Sequence, residues 1–546
     1  MLQDTFAALR GAEAPGEDQE LTVELVFEQP LSAAQVQARL DEALPDSGGQ
    51  VASVFGYEAD RYHFVDFPAI RERGQEAQVF QFVRELRAAV GAAEANPVLT
   101  DSLFGAAAVG AVTTEAGLFT CSTPKDSTLP FGWVHPMIHT IEAWQRTRGQ
   151  GSVVAVIDTG HSSHQELNGV LTPGGHLNLV EGGTDASDRF SRGLLTHPGH
   201  GTLVMSVVAS RGDADASGNV PPGQGGVTGA APEARVLPIR AIKSVINFKQ
   251  KTLPPAIAHA VSQGADVIAM AQGGATRVAS TEKALRDAVA AGVVVVCAAG
   301  NCWPSVVFPA AYAPYGLCTA VAALTRDLTP WKRSGRGPSV SFSAPGENVW
   351  GAAKNKASDP NNGIKAAQGT TLATSLTSGV AALWVARHGG RAALKAKADA
   401  AGTTVQAMWL HCVTKGMTKP PVWGGATNLG AGVLDAERAL LTKLPLASTG
   451  TEAVGDDKLP ATGTESTANI LLSHLADNAP DAAAEFDPAL ADYAAEMIWR
   501  SYRAGARARA AEMLGDEAPP VPDAPSEALA GAIADKPALR AALAAY

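Results

Sequence analysis

Cysteine is scarce in this chain. Five thiols occur in 546 residues: Cys121, Cys297, Cys302, Cys318 and Cys412. Their number is odd and no C-x-x-C spacing occurs, which argues against a disulfide framework and a zinc site. Buried, reduced thiols are the expectation. A basic excess is lacking too. The formal charge is −11, which disfavours non-specific binding to nucleic acid or to an anionic membrane. No apolar run approaches the roughly 20 residues that a membrane-spanning helix needs. Residues Met1 to Arg10 show no basic segment followed by an apolar one, and acids follow at once. No secretory leader is therefore expected, and the cytoplasm is the expected compartment.

What is present fits a globular chain of several domains. Apolar residues make up 46% and charged residues 18%, which is ordinary for that class, and the length calls for two to four domains. Residues 1–20 read as a disordered lead. Residues 21–107 read as a small α+β domain. Leu21–Glu28 alternates like a strand, Ser32 stands where it can cap a helix carrying Val36, Leu40 and Leu44, and Val79, Phe82, Val83, Leu86 and Val90 recur at helical spacing. Residues 108–134 read as a linker.

From about residue 135 to 443, short apolar strands alternate with helical runs, which predicts a parallel sheet with helices on its faces. Strands are expected at Ser152–Ile157, Ala234–Ile239, Asp266–Met270, Val293–Cys297 and Cys318–Ala322. Helices are expected at Thr202–Ala209, Pro254–Gln263, Thr281–Ala291 and Leu372–Arg387. Residues 444–484 read as a linker. Residues 485–546 read as a helical region opened by Asp487-Pro488, with Arg500, Arg503, Arg507 and Arg509 on a solvated face.

Four stretches carry chemistry. Val153–Gly160 is an apolar strand ending in Asp158 and a turn glycine. His197-Pro198-Gly199-His200-Gly201-Thr202 opens a helix with a histidine. Val293–Val296 leads to Cys297-Ala298-Ala299-Gly300-Asn301 and delivers a carboxamide. Gly369-Thr370-Thr371 opens a long helix of small and apolar residues. Taken singly these are a turn acid, a helix-start histidine, a loop amide and a helix cap. Together they supply what acyl transfer to a hydroxyl requires. A carboxylate orients an imidazole, the imidazole takes the hydroxyl proton and returns it to the leaving amine, and an amide N–H stabilises the oxyanion.

In that order, acid, histidine, amide and hydroxyl, these stretches resemble the subtilisin-like serine proteases, the subtilases. Gly229–Arg240, Ala265–Gly274, Ser334–Pro338, Phe342–Gly346 and Gly430–Ala436 resemble further segments of that family, so the likeness spans roughly residues 135–443. It implies the subtilisin-like α/β fold, with Asp158 orienting, His200 as base, Asn301 as oxyanion donor and the hydroxyl of Thr371 at the nucleophile position. It also implies that Ala271, Gln272, Gly273, Ala298, Ala299 and Gly300 form walls of a cleft in which a polypeptide substrate lies as an added strand. The N-terminal α+β unit resembles the family's prodomain and implies an intramolecular partner. No catalytic cofactor or metal is implied.

The chain departs from the family pattern at one position that matters most, with Thr371 standing where the family has serine. Ser375, Leu203 and Ala269 are milder departures. The extra methyl makes χ1 stiff. If it fits at an overpacking cost of about 1–3 kcal/mol, hydrolysis slows roughly 5- to 150-fold. If the rotamer is wrong, the nucleophile is lost. The sequence therefore predicts a subtilase-like endopeptidase, with a pseudoprotease that binds extended polypeptide without cutting it as the alternative.

Overall fold

The computed structural model describes residues 2–10, 20–71, 75–99, 128–191, 196–212, 227–245, 250–274, 276–301, 306–425, 428–445, 463–501 and 524–545. The expected linker 108–134 falls largely outside these residues, as do Arg503, Arg507 and Arg509.

The N-terminal unit is an antiparallel sheet with strand order β2-β3-β1-β4. Its strands are β1 (Glu20–Leu31), β2 (Gln50–Ser53), β3 (Asp60–Arg71) and β4 (Glu94–Val98). Helices Ala33–Ala43 and Glu76–Val90 complete it. Ser32 caps the first through a capping box with Gln35. Leu21, Val23, Leu25 and Phe27 share one core with Val36, Leu40, Val79, Phe82, Val83 and Leu86.

Strand alternation predicts a solvated opposite face for β1, yet Thr22, Glu24 and Val26 are buried as well. The second face is covered by the larger domain. Val278 packs with Val54, Phe64 and Val98, and Lys251 pairs with Asp66 at 3.0 Å. Glu24 reaches furthest. Its carboxylate accepts from the backbone N–H of Ala279 and of Ser280, each at 2.7 Å, and from the Ser280 hydroxyl at 2.5 Å. The amides of a first helical turn have no intrahelical acceptor, so Glu24 caps helix Ala279–Ala290 from another domain.

The larger domain is built on a seven-stranded sheet of order β11-β10-β9-β8-β5-β7-β6, and every neighbouring pair is parallel. The strands are β5 (Val153–Asp158), β6 (Leu177–Asn178), β7 (Arg235–Arg240), β8 (Val267–Met270), β9 (Val294–Ala298), β10 (Thr319–Leu324) and β11 (Phe342–Pro345). Alternate residues feed two apolar layers, with Ala155 and Ile157 in one and Val154 and Val156 in the other. Helices His200–Ala209, Leu253–Ser262, Ala279–Ala290 and Thr370–Arg387 flank the sheet, close to the expected positions. Residues 370–385 are all buried; their small side chains let this helix approach the sheet and the His200 helix closely. A hairpin, β12 (Val349–Ala352) with β13 (Ile364–Ala367), leads into it.

Three expectations are corrected. Leu2–Leu9 is a helix, not a disordered lead, because Phe6 and Leu9 are buried and Phe6 packs against Phe67 and Phe82. Helices Gly463–Asn478 and Pro480–Glu485 lie where a linker was expected, and Leu471, Leu475 and Ala482 join the core of the larger domain. Arg500 is buried rather than solvated. Its guanidinium bonds the Glu496 carboxylate and the Ala524 carbonyl. The same tail inserts Trp499 into the N-terminal core beside Phe80, and Arg84 of that domain bonds both Glu496 and Ser526. Cys297, Cys318 and Cys412 are free and buried.

Candidate active site

Asp158 ends β5 at the sheet's carboxyl edge, where parallel α/β sheets collect functional groups. The carboxylate is fully buried. It accepts from the Thr159 N–H at 2.7 Å and faces Nδ1 of His200 at 2.8 and 3.0 Å. His200 is the first residue of its helix, and glycine is required beside it. A Cβ on Gly201 would collide with the Gly160 carbonyl, so Gly201 lets the histidine helix press against the turn after Asp158.

Nε2 of His200 lies 3.3 Å from Oγ1 of Thr371. The hydroxyl, not the methyl, is thus turned to the imidazole. Thr371 stands in the first turn of helix Thr370–Arg387, where its backbone N–H also has no intrahelical acceptor. Asn301, after β9, comes in beside it. Its Oδ1 accepts from the Thr370 N–H at 2.9 Å and the Thr370 hydroxyl at 2.8 Å. Those two donors fix the carboxamide oxygen and leave Nδ2 as the outward donor. A Cβ on Gly369 would sit 2.9 Å from that Nδ2, so glycine keeps the approach open.

A second layer of polar groups holds the acid and histidine loops together. Asp188 Oδ2 accepts from the Thr159 hydroxyl at 2.9 Å and the Gly199 N–H at 2.7 Å, while Thr159 Oγ1 accepts from the Gly201 N–H at 3.0 Å. Buried Arg240 bonds the Thr159 carbonyl and grips Glu181 at 2.6 Å, holding that carboxyl down at about 2. Sequence reasoning missed Asp188, Arg240 and the anchoring role of Thr370. Thr159, inside Asp158-Thr159-Gly160, was the one available signal.

Asp158, His200, Thr371 and Asn301 are brought together. The six expected wall residues are not among those lining the cavity beside these four. A cavity of about 750 Å³ is lined by His200, Asn301, Thr371 and Leu372, and by none of Ala271–Gly273 or Ala298–Gly300. Ala271, Gln272, Ala298 and Ala299 are buried. The Gly273 N–H is bonded to the Val245 carbonyl at 3.2 Å, and Ala299 uses its N–H on Val321 and its carbonyl on Val307. The Gly300 N–H donates to Thr370 Oγ1 at 3.3 Å. The main-chain N–H groups of Gly273, Ala299 and Gly300 are thus engaged within the domain. Among the described residues no cluster of three or more His, Cys, Asp or Glu is placed to hold a metal ion, and no helix is long and apolar enough to cross a membrane.

Comparison with known proteins matches the subtilase family (Peptidase S8) over residues 149–426. Mycosin-3 of Mycobacterium tuberculosis is 30% identical over 414 residues, covering 62% of this chain and 79% of that protein. The major intracellular serine protease of Bacillus subtilis is 28% identical over 256 residues, covering 45% of this chain and 72% of that protein. A crystal structure of MycP1 with its N-terminal propeptide removed aligns with 27% identity and a TM-score of 0.44, covering 57% of this chain and 98% of that chain.

Proposed function

The chain belongs to the subtilase family of serine peptidases, and from that premise we propose that it hydrolyses internal peptide bonds with Thr371 as the nucleophile. The observation that carries this reading is the unbroken hydrogen-bonded line from Asp158 through His200 to the Thr371 hydroxyl. In the proposed reaction His200 Nε2 takes the proton of Thr371 Oγ1 as that oxygen attacks the scissile carbonyl carbon. Asp158 stabilises the imidazolium that results. The Asn301 Nδ2 and the Thr371 N–H stabilise the oxyanion. His200 then protonates the leaving amine. Water, deprotonated by the same imidazole, hydrolyses the acyl ester and releases the second product.

The N-terminal domain fits the role of an intramolecular prodomain. Its support is the β-α-β-β-α-β order and the Glu24 cap on a helix of the larger domain.

The experiment is turnover of an unfolded protein by the purified chain beside His200→Ala and Thr371→Ser. A working threonine enzyme cleaves, loses activity with His200→Ala and gains it with Thr371→Ser. Cleavage of the chain itself between about residues 108 and 134, read by intact mass, would add support. The second reading, a binder that does not cut, is favoured by one observation. That observation is the methyl carried by Thr371 where the family has serine. A silent parent with an active Thr371→Ser decides for it. Silence of both, with the N-terminal domain removed, rejects the enzyme.

A further inference from the structure

The wall of the cavity beside Thr371 carries charge of one sign. Arg189, Lys356 and Lys365 line it, and among the described lining residues none is Asp or Glu, although the chain as a whole has a formal charge of −11. The cations arrive on separate segments. Arg189 precedes the His200 helix. Lys356 lies between the two strands of the hairpin, and Lys365 lies on β13, the strand that runs directly into Gly369-Thr370-Thr371. A fixed cationic rim next to the reacting hydroxyl is therefore a property of the fold and not of one loop.

The surrounding groups leave that charge available. Arg189 is paired with Asp185 at 2.7 Å, both exposed; such a pair is worth little and exchanges readily. Among the described residues Lys365 Nζ donates to the neutral Asn355 Oδ1, at 3.2 Å. Burial lowers the Lys365 ammonium from its ordinary value, and Asp359 opposes this; one oxygen of that Asp359 is occupied by the Asn355 and Lys356 amides. Lys356 is exposed, and among the described residues its ammonium has no hydrogen-bond or ion-pair partner. An independent observation points the same way. Gln368 lines the same cavity, and its Nε2 is buried with no hydrogen-bond partner. An orphaned buried donor is costly, and an oxygen brought against it would relieve that cost. Cations and a spare amide donor together select a ligand rich in acceptors and negative in charge.

We propose that this cavity takes an acidic stretch of polypeptide, with carboxylates placed against Lys356, Lys365 and Gln368 beside the triad. The proposal gives a substrate class to the proposed function. It rests on the cleft receiving polypeptide, but does not require Thr371 to be a working nucleophile.

The test uses the full chain carrying Thr371→Ala, so that binding is measured without turnover. Fluorescence anisotropy would follow a labelled unstructured peptide containing three glutamates, with matched peptides carrying glutamine or lysine at those positions. The glutamate peptide should bind at least about tenfold more tightly than the glutamine peptide. That margin should shrink as salt is raised from low to high ionic strength. Lys356→Gln, at an exposed position where folding is not at risk, should reduce the glutamate preference several-fold, and an undiminished preference overturns the proposal. Equal binding of the three peptides, or no binding of the glutamate peptide, overturns the proposal. If the parent chain never cleaves but the glutamate preference is present, the proposed function fails and this inference stands. If the parent cleaves and shows no such preference, this inference alone fails.

Discussion

Among the described residues, Asp158 and Glu24 carry carboxylates wholly withdrawn from water, and they differ in their partners. Asp158 sits at the end of β5 and faces the His200 imidazole, which in turn faces the Thr371 hydroxyl. Glu24 sits on a strand of the N-terminal domain and faces two amides and a hydroxyl at a helix start in another domain, partners that never titrate. On the proposed function, the first arrangement orients a base for a reaction. The second joins two domains. Burial alone does not separate a catalytic acid from a structural one; the kind of partner does. The tail adds a further join, since Trp499 and Glu496 engage the N-terminal domain while Leu471 and Leu475 belong to the core of the larger one.

The comparison breaks if a change at one site acts on the other. The largest expected effect is at the triad. His200→Ala should lower kcat/KM on the order of 10⁴- to 10⁶-fold and leave the melting temperature nearly unchanged; a large fall in melting temperature would show that the triad is also structural. Next is the tail. Trp499→Ala removes a ring buried against Phe80 and should weaken the hold on the N-terminal domain by about 3–5 kcal/mol. Limited proteolysis would read this as faster loss of that domain with kcat per intact active site unchanged.

A smaller effect belongs to the cap. Glu24→Ala leaves two amides and a hydroxyl without their acceptor and should cost roughly 1–3 kcal/mol, seen as faster amide exchange at Ala279 and Ser280. The smallest effect is its pH dependence. Burial raises the Glu24 carboxyl above its ordinary 4.5, while Ser280, Ala279 and Arg277 pull it back. With the folded value above the unfolded one, the joined state holds the proton more tightly. The join is therefore favoured as pH falls toward 4.5 and weakened as pH rises through the raised value. Urea unfolding at several pH values should show that slope in the parent and a flatter one in Glu24→Ala; identical slopes would remove Glu24 from the account.

Much of this was legible because it is periodic or local. The strands of the large sheet are buried on both faces and read as short apolar runs, and Ser32 with Gln35 announces its helix. Asp158, His200 and Asn301 each stand at an element boundary, so their order sufficed to bring them together. The rest depends on packing that the local sequence does not encode. Leu2–Leu9 is too short to be stable alone and forms because Phe6 meets Phe67 and Phe82. Gly463–Asn478 has a linker's composition, yet Leu471 and Leu475 lie one turn apart on one buried face. Arg500 reads as solvated until Glu496 and the Ala524 carbonyl are seen beside it.

The central claim is that the Thr371 hydroxyl, aimed at His200, is the nucleophile. The most direct measurement is covalent labelling of the chain by a fluorophosphonate, followed by peptide mass mapping. The account predicts one adduct, on Thr371, absent in His200→Ala and formed faster in Thr371→Ser. No adduct on Thr371 in the parent, or one that forms equally without His200, would contradict it.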